Sequence, residues 1–326
     1  MSLRWFAVFA LLAFPAHASA VAPECGGVDL SADASIKPDW KRYADDLINA
    51  NGLLWRIEKL GLAPSYLYGT MHSTSAGPIE LAEKAAPYAA QAKTVATELG
   101  PLDAAQKIEL GAAMLHAAMS PDADTFSGYI EGEDAARVEQ YLVGKGTPAL
   151  MAHHLKLWML AMTASLPKCE IEGQTNGLPE VDESFARIAE ARHTPVVGLE
   201  TIEEQLRTIA SIPTPLTATI LKSSARGGPM ADDGYKTLLS LYEQKRPAAA
   251  LAILDAAPGL TDDERRAEAE LTRRLLADRN ATMAERAAPL LEKGGAFIAV
   301  GALHLSGKGG LIELLRGKGY QVTNVW

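Results

Sequence analysis

Short apolar segments alternate with longer helical patterns along most of the chain. Residues 53–58 alternate apolar and polar side chains as a half-buried strand does, and Tyr66-Leu67-Tyr68 follows a turn that contains Gly61 and Pro64. Two strands around a short loop of this composition predict a β-hairpin. Further strands are predicted at residues 94–97, 194–199, 296–300 and 320–325. Strands that alternate with helices are typical of an α/β fold, so we expect a mixed central β-sheet with surrounding helices.

Two long stretches of helical pattern separate the predicted strands. They cover about residues 103–180 and 203–293, and we expect them to form a helical layer or lid on a single domain of residues 21–326. Residues 151–165 carry apolar side chains at helical spacing, which predicts a helix that faces the core.

The first twenty residues have the pattern of a signal peptide. Arg4 supplies a positive charge, residues 6–14 form an apolar run, and Ala18-Ser19-Ala20 is a small-residue cleavage site. The apolar run is shorter than the roughly 20 residues that a membrane-spanning helix needs. We therefore expect cleavage near Ala20 and a secreted or periplasmic mature chain without a membrane span. The alternative is a retained N-terminal anchor.

Composition and charge narrow the classes of partner. Of the 326 residues, 48% are apolar and 22% are charged, which is ordinary for a globular protein. Asp and Glu number 40 against 31 Lys and Arg. This acidic balance repels phosphate backbones, so nucleic acid is not an expected partner.

Cys25 and Cys169 are the two cysteines of the chain. In an oxidising compartment an even pair of cysteines favours a disulfide, which here would connect the N-terminal tail to the middle of the chain. The alternative is two free thiols.

Four predicted strands end next to a side chain that can bind a metal or transfer a proton. His72 and His304 each follow a strand closely, and Glu98 and Glu200 come directly after two others. Ligands of open α/β sheets bind at such strand ends, so one interpretation is a shared site. Imidazole and carboxylate groups together suit zinc, manganese or iron, with a carboxylate left over as general base. Alternatively, the histidines are hydrogen-bonded loop residues and the glutamates cap the helices that follow.

Each histidine is the last residue of a Gly-x-x-His motif, and the two motifs begin at Gly69 and Gly301. Glycine tolerates backbone conformations that other residues avoid. We therefore expect these two glycines to turn the chain sharply off its strand and to allow close approach to a ligand. The sequence contains neither His-Glu-x-x-His nor Gly-x-Ser-x-Gly, which excludes a zincin and counts against a serine hydrolase.

Both histidine motifs lie in longer segments that resemble the TraB/GumN family. Residues 67–72, Leu-Tyr-Gly-Thr-Met-His, are similar to the N-terminal motif of that family, and residues 300–305, Val-Gly-Ala-Leu-His-Leu, to its C-terminal signature. Between these two motifs, further residues stand in the order in which the family's residues are expected. They are Glu98-Leu99, Asp182, residues 198–201 and Arg279-Asn280 with Met283. The resemblance covers roughly residues 50–326.

The resemblance implies a fold related to Tiki proteases, erythromycin esterases and the haem-binding ChaN proteins. It also implies a metal-dependent protease site in which His72 and His304 ligate a divalent ion, with manganese, zinc or cobalt as candidates. Glu98 becomes the candidate base or a further metal ligand. Glu200 becomes another ligand or a residue that supports the ligands.

Arg279 and Asn280 have two interpretations. On a helix beside the site they can stabilise an oxyanion or hold a substrate carboxylate. Alternatively, they form a buried network that connects this helix to the sheet.

The sequence as a whole predicts an exported metal-dependent hydrolase, a peptidase that acts on a peptide or small-molecule substrate. The alternative is a non-catalytic protein that binds haem, a metal or another small ligand in the same cleft.

Overall fold

The computed structural model describes residues 22–33, 47–119, 126–227, 230–256 and 259–326. The predicted signal peptide, residues 1–20, lies outside the described residues. Within the described ranges six strands form one sheet, and each predicted strand is among them. They are β1 Leu54–Glu58, β2 Ser65–Thr70, β3 Thr94–Leu99, β4 Val196–Glu200, β5 Ala296–Gly301 and β6 Gln321–Asn324.

The sheet is mixed, with strand order β4-β3-β5-β2-β1-β6. β1 and β2 form the predicted antiparallel hairpin, in which Leu54 pairs with Tyr68. β6 pairs antiparallel with the outer side of β1, whereas β2, β5, β3 and β4 pair in parallel. The four parallel strands therefore direct their carboxyl ends to one edge of the sheet.

Apolar side chains bury both faces of the sheet. On β5, Phe297 and Ala299 belong to one apolar cluster, and Ile298 and Val300 belong to another. Successive side chains of a strand point to opposite faces, so this continuous apolar run requires cover on both sides. β5 is accordingly an inner strand of the sheet.

Helices occupy most of the connections between strands. They are α1 Ala76–Ala90, α2 Ala104–Ala118, α3 Gly132–Gly144, α4 Ala149–Ala152, α5 Leu157–Ser165, α6 Lys168–Thr175, α7 Val181–Ala191, α8 Ile202–Ala210, α9 Thr214–Gly227, α10 Met230–Glu243, α11 Ala249–Ala256, α12 Asp262–Thr272, α13 Asp278–Lys293 and α14 Leu311–Gly317. A π-helical turn, Arg273–Ala277, links α12 to α13, and a 3-10 turn, Ala302–His304, follows β5.

The predicted helical stretches have an apolar cluster of their own, to which α2, α3, α5, α9 and α12 contribute. The helix predicted over residues 151–165 is wrong in one respect, because the structure divides it into α4 and α5. Between them the backbone is extended at Lys156, whose N–H donates to Ala118 O at 2.8 Å. Leu155 also forms a bridge with Met119. Hydrogen bonds to a distant segment replace helical ones here, which periodicity does not reveal.

Cys25 and Cys169 form the predicted disulfide. Cys169 lies in the first turn of α6, and Cys25 lies in the described N-terminal segment, residues 22–33. The backbone N–H of Leu30 in this segment donates to Thr237 Oγ1 on α10 at 2.8 Å. The segment is therefore attached to the fold covalently and by hydrogen bonding.

Candidate functional site

The carboxyl ends of the parallel strands bring four predicted side chains to one edge of the sheet. Glu200 is the last residue of β4, Glu98 is the last but one of β3, and His304 and His72 follow β5 and β2. Because the strand order is β4-β3-β5-β2, the four side chains follow one another along the edge in the order Glu200, Glu98, His304, His72. Glu200, Glu98 and His304 are buried.

His304 is held in one orientation by Asn280. Its Nδ1 lies 2.6 Å from Asn280 Oδ1, and Asn280 Nδ2 donates to Gly309 O at 2.8 Å. Because the amide nitrogen donates to that carbonyl, the amide oxygen accepts, and His304 Nδ1 carries the proton. The other ring nitrogen, Nε2, then has a free lone pair and lies 3.6 Å from Glu98 Oε1. Burial lowers the pKa of His304 to about 3, against the attraction of Glu98, so the ring is neutral.

Glu98 is a buried carboxylate that keeps its negative charge. Its Oε1 accepts from the backbone N–H of Gly301 at 2.7 Å, and its Oε2 accepts from Arg279 Nη2 at 2.7 Å. Burial alone would raise the pKa of Glu98, but the positive charge of Arg279 holds it far below its usual value. A carboxylate this acidic is a poor proton acceptor at neutral pH and a good ligand for a cation.

Arg279 connects Glu98 to Glu200 in a buried network. Its Nε donates to Glu200 Oε1 at 2.9 Å, its Nη2 donates to both glutamates, and its Nη1 donates to Leu275 O at 3.0 Å. Gln205 Nε2 donates to Glu200 Oε2 at 3.2 Å. All three guanidinium nitrogens thus bind protein atoms, which corresponds to the network interpretation of Arg279 rather than to substrate binding.

A π-helical turn directly precedes the helix that carries Arg279 and Asn280. They are the second and third residues of α13, directly after the turn, and both are buried. A π-helical turn contains one residue more than an α-helical turn, so it shifts the phase of the residues that follow. π-helical turns are rare in proteins, and those that occur often lie at functional sites.

Glu98 and Glu200 do not cap the helices that follow them. α2 begins after Asp103 and α8 begins after Thr201. The side chains of Asp103 and Thr201 each accept a hydrogen bond from the first turn of the helix that follows them, so these two residues are the caps. Both glutamates instead bind Arg279.

His72 lies in the loop after β2, beside two acidic residues at the start of α7. Its Nδ1 is 3.0 Å from Asp182 Oδ2 and 3.5 Å from Glu180 Oε2. Asp182 Oδ1 accepts from Thr70 Oγ1 at 2.6 Å, and Glu180 Oε1 accepts from Gln174 Nε2 at 2.7 Å. Among the described residues, the buried atoms His72 Nε2, Asp182 Oδ2 and Glu180 Oε2 have no hydrogen-bond partner.

The charge state of His72 differs from that of His304. Burial alone would lower the pKa of His72, but the charges of Asp182 and Glu180 outweigh burial and raise this pKa well above its usual value. Burial raises the pKa of Glu180, against the attraction of His72. At neutral pH His72 is therefore cationic beside two acidic groups, whereas His304 is neutral.

A cavity of about 270 Å³ opens beside these residues. Its lining includes His72, Glu98, Glu180 and Asp182. The rest of the wall combines apolar and charged side chains, among them Leu102, Lys107, Glu183, Ala186, Arg187 and Glu190. The volume lies just below the range of small-molecule pockets, about 300–1,000 Å³.

Comparison with known proteins identifies the family. A profile of the TraB/PrgY/gumN family matches residues 53–324. The chain belongs to this family. No curated protein and no solved structure matches it. In the described part of this TraB/PrgY/gumN chain, no helix is both long and apolar enough to cross a membrane.

The predicted metal ligands of this TraB/PrgY/gumN protein fall into two groups. His304 and Glu98 face each other, whereas His72 joins Glu180 and Asp182, with one ligand atom of each within 4.8 Å of the others. Over the described ranges, His72, His304 and Glu98 do not form such a group. Their joint role as metal ligands stays a prediction.

Glu180 and Asp182 are the site residues that the sequence patterns did not assign. Acidic residues are ordinary at a helix N-terminus because they complement the helix dipole, so their position at the start of α7 gave no sign of function. The one available signal was the order of family residues, in which Asp182 has a place. That order does not indicate Glu180.

Gly69 and Gly301 serve close packing in this TraB/PrgY/gumN fold. Neither has the positive φ that favours glycine, although a 3-10 turn follows Gly301 directly. A Cβ at Gly69 would lie 2.9 Å from Ala302 Cα, and one at Gly301 would lie 3.1 Å from Glu98 Oε1. The close packing beside both strands, rather than their backbone conformation, favours glycine at these positions.

Proposed function

We propose that this chain is an exported metal-dependent hydrolase that cleaves a peptide or amide bond. The observation that carries the proposal is the contact between His304 and Glu98. His304 Nε2 has a lone pair and Glu98 Oε1 is negatively charged, and these buried atoms lie 3.6 Å apart. Two electron-rich atoms repel each other at this distance, and a cation bound by both removes the repulsion.

The donor set fits the ion that the family resemblance implies. Neutral imidazole and carboxylate are donors that zinc, manganese and cobalt accept in proteins. His304 and Glu98 would hold the ion together with His72 from the neighbouring strand, while Asn280 orients His304 and Arg279 keeps Glu98 ionised. A bound divalent ion would supply Lewis-acid activation of water and of a substrate carbonyl. The low pKa of Glu98 favours its role as a ligand over its role as a base.

The cavity wall suits part of a peptide. Leu102 and Ala186 offer apolar surface, and Lys107 and Arg187 offer positive charge for a substrate carboxylate. These cations lie 3.4 Å and 3.1 Å from Glu183, which limits their mobility. A cavity of about 270 Å³ is small for a haem group, which favours a hydrolase over a haem-binding protein.

Two features support export. The first twenty residues have the pattern of a removable signal peptide. Cys25 and Cys169 form a disulfide, and disulfides persist in secreted and periplasmic proteins but are rare in the cytosol.

The proposal predicts that His72→Ala and His304→Ala lose bound metal. Purified mature proteins are incubated with manganese, zinc or cobalt, desalted and analysed for metal. His116→Ala is the control, because His116 is exposed on α2. We expect stoichiometric metal in wild type and in the control, and none in the two site variants. Only metal-loaded wild type and control should then cleave members of a peptide library.

Two results contradict this proposal in different ways. Full metal content in His304→Ala would show that His304 is not a ligand. No metal in wild type would rule out the metal-dependent hydrolase, and a haem titration would then test the non-catalytic alternative.

A further inference from the structure

We propose that Glu180 and Asp182 ligate a divalent metal ion together with His72. This assignment rests on the proposed metal-dependent function and adds two ligands to it. Asp182 Oδ2 and Glu180 Oε2 lie 3.0 Å and 3.5 Å from His72 Nδ1. Donor atoms that share one zinc ion at about 2.0–2.2 Å are separated by about 3–4 Å, so the three side chains already have the spacing of a ligand set.

The two carboxylates present free electron pairs in a buried place. Glu180 is only 4% exposed, yet its Oε2 has no hydrogen-bond partner in the part of the chain that the structure describes, and the same holds for Asp182 Oδ2. Buried polar atoms are normally hydrogen-bonded, so two unpartnered carboxylate oxygens in one cluster require a reason. A bound cation supplies it.

The second oxygen of each carboxylate is already held. Thr70 Oγ1 donates to Asp182 Oδ1, and Gln174 Nε2 donates to Glu180 Oε1. Each carboxylate is therefore fixed by one oxygen and directs the other toward His72. Metal-binding carboxylates are commonly supported in this way by outer hydrogen bonds.

The charge of the cluster also favours a cation. Within the described ranges, His72 is the one basic side chain at ion-pair distance from Asp182 and Glu180. Lys107, on the same cavity, pairs with Glu183 instead. When an ion binds, His72 gives up its proton, and the two charges of a divalent ion balance the two carboxylates in this poorly solvated place.

An orienting role for Asp182 explains less. If Asp182 only oriented His72, Nδ1–H would donate a hydrogen bond to Asp182 Oδ2. The two atoms are 3.0 Å apart, but no well-aligned hydrogen bond joins them. Coordination to a common ion needs the distance and does not need that alignment.

The test is metal affinity of the full mature chain in Asp182→Asn, Glu180→Gln and the control Glu183→Gln. Equilibrium dialysis against Mn²⁺ and Zn²⁺ gives the Kd of each protein. The amide variants keep the side-chain shape and the hydrogen-bonded oxygen but remove the charge. Loss of an outer supporting residue weakens metal binding about 10–100-fold, so loss of a ligand should raise Kd more than about 100-fold. Glu183 lies on the same helix and lines the same cavity, and its variant should bind within about twofold of wild type.

The outcomes separate this assignment from the proposed function. A rise above about 100-fold in both Asp182→Asn and Glu180→Gln supports the two ligands, and a smaller rise in either overturns the assignment of that residue. If the two amide variants bind like wild type while His304→Ala loses its metal, this inference fails and the hydrolase proposal stands. If wild type binds neither ion, both fail. Circular dichroism and thermal unfolding of each variant establish that the measured protein is folded.

Discussion

At the scale of single residues, two copies of one motif have opposite electrostatic environments. The amide of Asn280 orients His304, which is buried and neutral, whereas Asp182 and Glu180 raise the pKa of His72. The motif predicts that a histidine stands at each strand end, and the structure confirms this. It does not predict protonation, because the partners belong to α13 and α7, which are distant in sequence from the motifs they contact.

Replacing Arg279 with alanine should destabilise the protein strongly. The substitution leaves Glu98 and Glu200 buried without a positive partner, and breaking such a pair costs about 3–5 kcal/mol near neutral pH. Arg286→Ala, on the same helix, is the matched control. Arg286 pairs with Glu204 at the surface, where an ion pair contributes about 0–1 kcal/mol. Urea denaturation at pH 7 measures both free energies of unfolding.

The pH dependence of this loss distinguishes charge from packing. The folded pKa of Glu98 lies below its ordinary value of 4.5, so its pairing stabilises the protein above that pH and is lost as pH falls toward the folded pKa. In Arg279→Ala, Glu98 loses the positive charge that holds its pKa down, and burial then makes it bind protons more readily. The stability difference from wild type should therefore narrow as pH falls from about 7 to 4. A constant difference over this range would mean that Arg279 contributes through packing alone.

At the scale of elements, α6 holds the loop that carries His72. Glu170 on this helix accepts from Ser73 Oγ and from the backbone N–H of Thr74, each at 2.7 Å. Gly173 packs so closely against the loop that a Cβ there would lie 2.1 Å from Thr74 Oγ1. The position of His72 therefore depends on a helix that the sequence patterns did not connect with the site.

The substitution Glu170→Gln should lower the free energy of unfolding by about 1–3 kcal/mol. In wild type, Ser73 and Thr74 donate hydrogen bonds to the Glu170 carboxylate, whereas a glutamine would place an N–H group against one of these donors. A buried polar group left without a partner costs about 1–3 kcal/mol. Glu172→Gln makes the same change at an exposed position of the same helix and should leave stability unchanged. Thermal and urea unfolding of the two variants give the comparison. Equal stability of both would show that the buried hydrogen bonds do not stabilise the loop.

The strands were predictable because buried strands are short apolar runs bounded by glycine, proline and polar residues, and residues 296–300 are the clearest case. Their ends were less predictable. The strand predicted to stop at residue 97 continues to Leu99, so Glu98 belongs to β3 and alternation places it on the same face as Ala96. α13 covers that face, which is why Glu98 meets Arg279.

At the scale of the whole molecule, the fold class and the family were predictable and the grouping of site residues was not. The composition of each segment indicates a strand or a helix, and the two terminal motifs indicate the family. The order β4-β3-β5-β2 decides which strand ends are neighbours, and no local pattern encodes that order. His72 therefore meets Glu180 and Asp182 at the start of α7, two neighbours that the local patterns do not predict.

The Cys25–Cys169 disulfide joins cysteines 144 residues apart, and its removal should lower the stability of the whole molecule. Closing a loop of that length contributes about 5 kcal/mol in the chain-entropy treatment, because it restricts the unfolded chain. We expect a Cys25→Ser, Cys169→Ser double variant to unfold at a lower urea concentration than wild type. Dithiothreitol should shift wild type to the same midpoint and leave the variant unchanged. A shift in the variant as well would show an effect of the reductant unrelated to the disulfide.

The same variant separates two roles of the disulfide. An effect confined to the unfolded chain lowers stability and leaves metal affinity unchanged. Cys169 and Glu170 are adjacent on α6, however, and Glu170 holds the loop that follows His72. Loss of the disulfide should therefore also weaken metal binding at the proposed site, by less than the loss of a proposed ligand because His72 itself remains. An unchanged Kd in the double variant, at temperatures where it is folded, would show that Glu170 holds the loop without help from the disulfide.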